Sequence, residues 1–139
     1  MAVEMKIQIR QTSPSASEAT IRHHQIPIDR PVAKGGTDAG PMGGELFLAA
    51  VGGCFTSNLL AAINAREVGI SDVRVEVVGT LTDAPARFTA LELRIAANNA
   101  SASPETLEKL VEIADRGCIM MNTLRGSLDI KLVVGGPSS

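Results

Sequence analysis

Two residues stand out for chemistry, Cys54 and Cys118, the only thiols among 139 residues. A thiolate attacks electrophiles, and two thiols that meet can cycle between dithiol and disulfide. Two cysteines are too few for a disulfide scaffold, and these are too widely separated for the usual zinc-binding pairs. Cys54 falls in the middle of an apolar segment, where burial raises a thiol's pKa and an inert small hydrophobe is the bland expectation. Cys118 follows a helix stop at Gly117 and precedes a helical turn, and exposed N–H groups at such a turn stabilise a thiolate. The pair becomes a candidate for peroxide reduction or redox sensing on one condition: the sulfurs must meet, one as nucleophile and one as resolving thiol.

Other chemical templates are absent. The chain has no Gly-x-Ser-x-Gly elbow, no Walker loop and no His-Glu-x-x-His. The glycines from Gly35 to Gly44 lack the strand-then-helix spacing of a dinucleotide fingerprint. His23 and His24 are adjacent on an expected strand, so their side chains should point to opposite faces and cannot share a metal. No metal and no cofactor are therefore expected. With no Trp, no Tyr, three Phe (Phe47, Phe55 and Phe88) and a net charge of −2, the chain also lacks the stacking rings and basic groove of a nucleic-acid binder.

The elements that must position the thiols are read from periodicity. Met5, Ile7 and Ile9 alternate with Lys6, Gln8 and Arg10, a half-buried strand. Ala19 to Asp29 is a second extended run, antiparallel to the first, with Pro27 arguing for an edge. Arg30 to Gly44 holds too many glycines and prolines for a regular element and reads as a long loop. A helix opened by Glu45 runs to about Val68, apolar on nearly all sides, so it must be surrounded by a sheet and a second subunit. Its Gly52 and Gly53 cost helix propensity, which close packing or access to Cys54 would offset. Val73 to Thr82 and Arg87 to Ala96 form a hairpin with one wet face. Ser103-Pro104-Glu105 opens a helix that Gly117 ends. Asn122 to Leu124 is a helical turn, Ser127 to Val134 a last strand, and Gly135 to Ser139 a frayed tail.

This order lacks βαβ alternation, so the class is α+β with antiparallel pairing. Average globular composition at this length predicts one domain over residues 1–139. The opening residues lack a basic-then-apolar signal, which predicts a cytoplasmic protein with reduced thiols. Leu46 to Ile63 is apolar enough to suggest a membrane span, but it is short and glycine-interrupted, so a buried helix and no membrane contact are expected.

The segment Gly40-Pro41-Met42-Gly43-Gly44-Glu45-Leu46-Phe47-Leu48-Ala49-Ala50-Val51-Gly52-Gly53-Cys54 resembles the central-helix motif of the OsmC/Ohr family. Cys118-Ile119-Met120-Met121-Asn122-Thr123-Leu124 resembles its second-cysteine motif, and Arg87-Phe88-Thr89 is also similar. The resemblance implies an OsmC-like fold, an intertwined homodimer whose antiparallel sheets wrap around long central helices, and active sites at the subunit interface. It further implies a thiol-dependent peroxidase acting on organic hydroperoxides, with Cys54 peroxidatic, Cys118 resolving and a dithiol reductant as partner. An apolar pocket would suit an alkyl or fatty-acid hydroperoxide.

Two positions depart from the family pattern. Gly44 stands where the family places a Glu that holds an activating Arg, and Glu45 lies one residue on, rotated by about 100°. Arg10 is the nearest candidate for that Arg and Arg22 the other. Ile119 occupies the usual place of a Pro. These departures keep open an alternative, an OsmC-like redox-sensing or hydrophobic-ligand-binding protein without efficient peroxidase activity.

Overall fold

A computed structural model of the chain describes residues 1–99 and 102–135. These group into two compact units, Met1–Phe47 and Leu48–Ser139.

In the first unit, β1 (Gln8–Gln11), β2 (Ser17–Ile21) and β3 (His24–Ile28) form an antiparallel sheet in that order. The single run expected from Ala19 to Asp29 is thus two strands joined by a tight turn at Arg22 and His23. Arg22 takes the left-handed conformation there, φ 54°, although neither residue is a usual turn former. The turn also overturns the expectation that the two histidines point apart: their ring centroids are 4.0 Å from each other. Pro27 does lie on an edge strand, β3, where its missing N–H leaves no ladder bond unmade. β1 differs from the expected half-buried strand, because Met5, Ile7 and Ile9 are all exposed.

Asp29 closes β3 and organises the loop that follows. It is only 3% exposed. Its carboxylate accepts hydrogen bonds from the Thr37 hydroxyl at 2.7 Å, the Arg30 amide at 2.7 Å, and the Thr37 and Ala39 amides at 3.1 Å. The Thr37 hydroxyl foremost, then the Ala39 and Arg30 amides, hold this carboxyl far below the usual carboxylate range. Gly36 passes so close to the Arg30 carbonyl that no side chain fits. The long loop is therefore pinned by main-chain contacts to one buried charge.

Helix α1 (Gly43–Arg66) starts at the end of this unit and continues through the second. It begins two residues before Glu45 and ends two before Val68, where Glu67 turns left-handed at φ 51°. Val51, Phe55, Leu59 and Ala62 recur every three or four residues and are buried, the spacing of one helix face. Gly52 brings the helix onto the sheet, since a Cβ there would lie 2.6 Å from Val77 Cγ2, whereas Gly53 faces open space. The two adjacent glycines thus have different reasons. The expectation of a helix surrounded on all sides is met on one side only: Ala49, Ala50, Gly53, Ser57, Leu60 and Ala61 are exposed in the single chain.

The sheet of the second unit has the order β4 (Ser71–Asp83), β5 (Ala86–Asn98), β6 (Asp129–Val134). β4 and β5 form the expected antiparallel hairpin. Leu91, Leu93 and Ile95 of the central strand are buried, while Arg94 pairs with Glu92 and Glu76 on the wet face. β6 departs from all-antiparallel pairing and lies parallel to β5. The crossover between them carries α2 (Pro104–Gly117) and the short α3 (Ile119–Leu124), which is the kind of connection a parallel pair needs. Ser103 caps α2 through the Thr106 amide with Pro104 at its first position, and Leu107, Leu110, Val111 and Ala114 form its buried face. Of the expected frayed tail, residues 136–139 lie outside the described residues; the Gly135 amide donates to Ile95 at 2.8 Å.

Candidate functional site

The condition set by the sequence is met. Cys118 Sγ donates to Cys54 Sγ over 3.2 Å, and both thiols are free. Cys54 sits on α1 beside the glycine pair and is partly exposed, whereas Cys118 is fully buried. A disulfide needs sulfurs about 2.05 Å apart, so closure demands that they approach by about 1 Å.

Local folding explains how Cys118 arrives there. Gly117 ends α2, and Cys118 takes extended angles, φ −82° and ψ 119°, serving as N-cap of α3. Its own amide is used by the Asp115 carbonyl at 3.3 Å, and its carbonyl accepts the Asn122 amide at 3.0 Å. The first turn of α3 is left with amides that have no helical partner, and these face the sulfurs.

The electrostatics follow from those amides. Burial works against a charge on Cys54, but the Met120 amide, the Cys118 thiol and the Ile119 amide outweigh it and pull the Cys54 pKa below the ordinary thiol value. For Cys118, burial pushes the pKa up, and the neighbouring Cys54 sulfur adds to the rise against the Met121 and Met120 amides. One sulfur is thus favoured as thiolate and the other as its proton-bearing neighbour. Among the described residues, no group of three or more His, Cys, Asp and Glu side chains could hold a metal ion.

Two further bonds fasten α3, and sequence reasoning missed both. Arg125 Nη2 lies 2.8 Å from Asp115 Oδ1, and Asn122 Nδ2 donates to the Arg116 carbonyl at 3.0 Å. Both join the last turn of α2 to α3 or the residue after it. The Asp115-to-Arg125 spacing alone carries no motif that would have announced the pair.

The remaining candidates belong to the first unit. Arg10 lies in β1 and Arg22 in the β2–β3 turn, and no guanidinium is among the groups that stabilise the Cys54 thiolate. Glu45 accepts the Met42 amide at 2.8 Å, so its carboxylate closes the N-terminus of α1 in the manner of a capping box. Gly44 lines a cavity of about 450 Å³ together with Ser15, Asp29, Arg30 and Lys34; neither sulfur borders it.

Residues 35–133 match the OsmC-like protein family. Among solved structures, the chain is similar to an OsmC-like protein from Mycoplasma pneumoniae, with TM-score 0.83, 20% identity, and coverage of 96% of this chain and 97% of that one. It is also similar to an organic hydroperoxide resistance protein from Elizabethkingia anophelis, with TM-score 0.73, 21% identity, and coverage of 99% and 100%. A third is the organic hydroperoxide resistance protein OhrB of Bacillus subtilis, with TM-score 0.67, 21% identity, and coverage of 95% and 98%. No curated protein matches the sequence at a significant level. At these identities the likeness establishes the fold; α1 is long and apolar enough to cross a membrane by length and composition, and its Val51, Phe55, Leu59 and Ala62 are buried within the protein.

Proposed function

Because the chain belongs to the OsmC-like protein family, we propose that it is a thiol peroxidase that reduces organic hydroperoxides through Cys54 and Cys118. The observation that carries this reading is the 3.2 Å contact between a partly exposed sulfur and a buried one. The Cys54 thiolate attacks the distal peroxide oxygen, the O–O bond breaks, and the alkoxide leaves as an alcohol after taking a proton. Cys54 is then a sulfenic acid. Cys118 attacks that sulfur, the S–O bond breaks, water departs and a disulfide remains. A dithiol reductant supplies two electrons and two protons and restores both thiols.

The proposal extends to a homodimer and to the cytoplasm. The exposed small-residue face of α1 and the exposed Met5, Ile7 and Ile9 are apolar surface of the kind a second copy would cover. A reducing compartment suits a pair that must return to the dithiol. Light scattering should give twice the 14.5 kDa of one chain.

A second reading is favoured by Gly44: a redox-sensing or hydrophobic-ligand-binding protein of the same fold with little turnover. Stopped-flow reduction of cumene hydroperoxide separates them. The peroxidase reading expects Cys54→Ser to abolish the reaction and Cys118→Ser to leave one turnover and a sulfenic acid that dimedone traps. A rate unchanged in Cys54→Ser overturns it.

A further inference from the structure

The ion pair between Asp115 and Arg125 lies outside the chemistry described so far, yet it spans the corner at which Cys118 sits. Asp115 is used twice. Its carbonyl accepts the Cys118 amide, and its carboxylate holds Arg125 at 2.8 Å. Arg125 in turn caps the end of α3, its amide donating to the Met121 carbonyl at 2.9 Å. The chain therefore leaves α2, turns at Cys118, makes the six residues of α3 and is fastened back to its point of departure. Asn122, bonded to the Arg116 carbonyl, adds a second strap inside the same loop.

A six-residue helix has little stability of its own. Met121 is its one fully buried residue, with Met120 and Leu124 half-buried, so hydrophobic packing anchors it through few side chains. Rotation of α3 would swing the Ile119 and Met120 amides away from Cys54. Asp115 is mostly buried, with 21% of its side chain exposed, against 49% for Arg125. The pair is therefore sheltered on one side, where a charge-assisted bond is more directional than on open surface.

We propose that Asp115 and Arg125 are positioning residues that lock α3 against the end of α2 and thereby set the distance and orientation of Cys118 and the α3 amides relative to Cys54. Neither side chain touches substrate; both act through the two sulfurs. The inference deepens the peroxidase reading and rests on it for its biological meaning, but the geometry it describes is measurable with no peroxide present.

The test uses the full chain with Asp115→Ala, Arg125→Met and the charge swap Asp115→Arg/Arg125→Asp, beside Arg94→Gln, which breaks an ion pair on the wet face of the sheet. Two quantities are read. One is the pH midpoint of Cys54 alkylation by iodoacetamide. The other is the equilibrium with the dithiothreitol couple, in which the two protein thiols pass two electrons and two protons to oxidised dithiothreitol as their own disulfide forms. Each single variant should raise the alkylation midpoint by about half a pH unit and shift the dithiothreitol equilibrium about threefold toward the dithiol, the scale of a partly exposed ion pair. The charge swap should recover most of both, and Arg94→Gln should change neither. Unmoved midpoints and equilibria in either single variant that still melts cooperatively overturn the proposal, as does a charge swap that folds and restores nothing. A wild-type protein that turned over no peroxide yet passed these tests would sink the peroxidase reading alone.

Discussion

Cys118 donates its thiol proton toward Cys54 across 3.2 Å, and the acceptor is the sulfur that solvent can reach. Buried donor and exposed acceptor divide the labour before any substrate arrives. The two thiols should ionise as a coupled pair in two separated steps, the first below the ordinary thiol value, because Cys54 is lowered, and the second above it, because Cys118 is raised. The sign for stability follows. Between the lowered step and the ordinary thiol pKa, the folded state has released a proton that the unfolded state keeps, so stability rises with pH. Above the ordinary value the retained Cys118 proton reverses the slope. Thiolate absorbance near 240 nm against pH should resolve both steps, and Cys118→Ala should leave one, shifted upward; a single step at the free-cysteine value in the wild type would contradict the arrangement.

Ile119, whose side chain is exposed, offers a substitution that removes one main-chain donor. It occupies the first helical position of α3, where proline is well tolerated because the helix itself does not use that N–H. Ile119→Pro should keep the fold, judged by an unchanged circular dichroism spectrum, and remove one of the amides that hold the Cys54 thiolate. The expected readout is slower alkylation of Cys54 at pH 7. Equal rates in the two proteins would assign the stabilisation to the other donors.

Gly52 should accept a side chain only at a cost. A methyl group there meets Val77 at 2.6 Å, and overpacking of this kind costs about 1–3 kcal/mol. Chemical denaturation should find Gly52→Ala destabilised within that range, with part of the loss recovered by adding Val77→Ala. Gly53→Ala, which meets nothing within 4 Å in the single chain, serves as the comparison.

Asp29 predicts an acid-sensitive loop. Its folded pKa lies far below the ordinary aspartate value of 3.8, so its stabilising effect is complete above that value and is lost as pH falls through it toward the folded pKa. The melting-temperature gap between wild type and Asp29→Asn should be constant above about pH 5 and should narrow between about pH 4 and pH 2. A gap independent of pH would show that the hydrogen-bond geometry, rather than the charge, is what matters.

Much of this architecture was legible in the sequence because side-chain periodicity reports burial directly. The alternation of Leu91, Leu93 and Ile95 located the central strand, and Ser103-Pro104 with Gly117 bracketed α2. What escaped was information that no residue type carries. The turn at Arg22 and His23 breaks a strand without glycine or asparagine. β6 pairs parallel because α2 and α3 return the chain to the same end of the sheet, and alternation looks the same in either direction. At the site, the thiols were visible as residues but their meeting was only a condition, and the Met120 and Ile119 donors are main-chain groups with no letter to read. Glu45 was visible as a residue out of place, and its capping bond to Met42 accounts for where it stands.

The short gap between the sulfurs carries a consequence for signalling. If an approach of about 1 Å is enough to join them, the protein takes up and surrenders two electrons while its outline stays the same. A partner that tells the two redox forms apart must then touch the sulfur pair itself, since little else on the surface reports which form it has met.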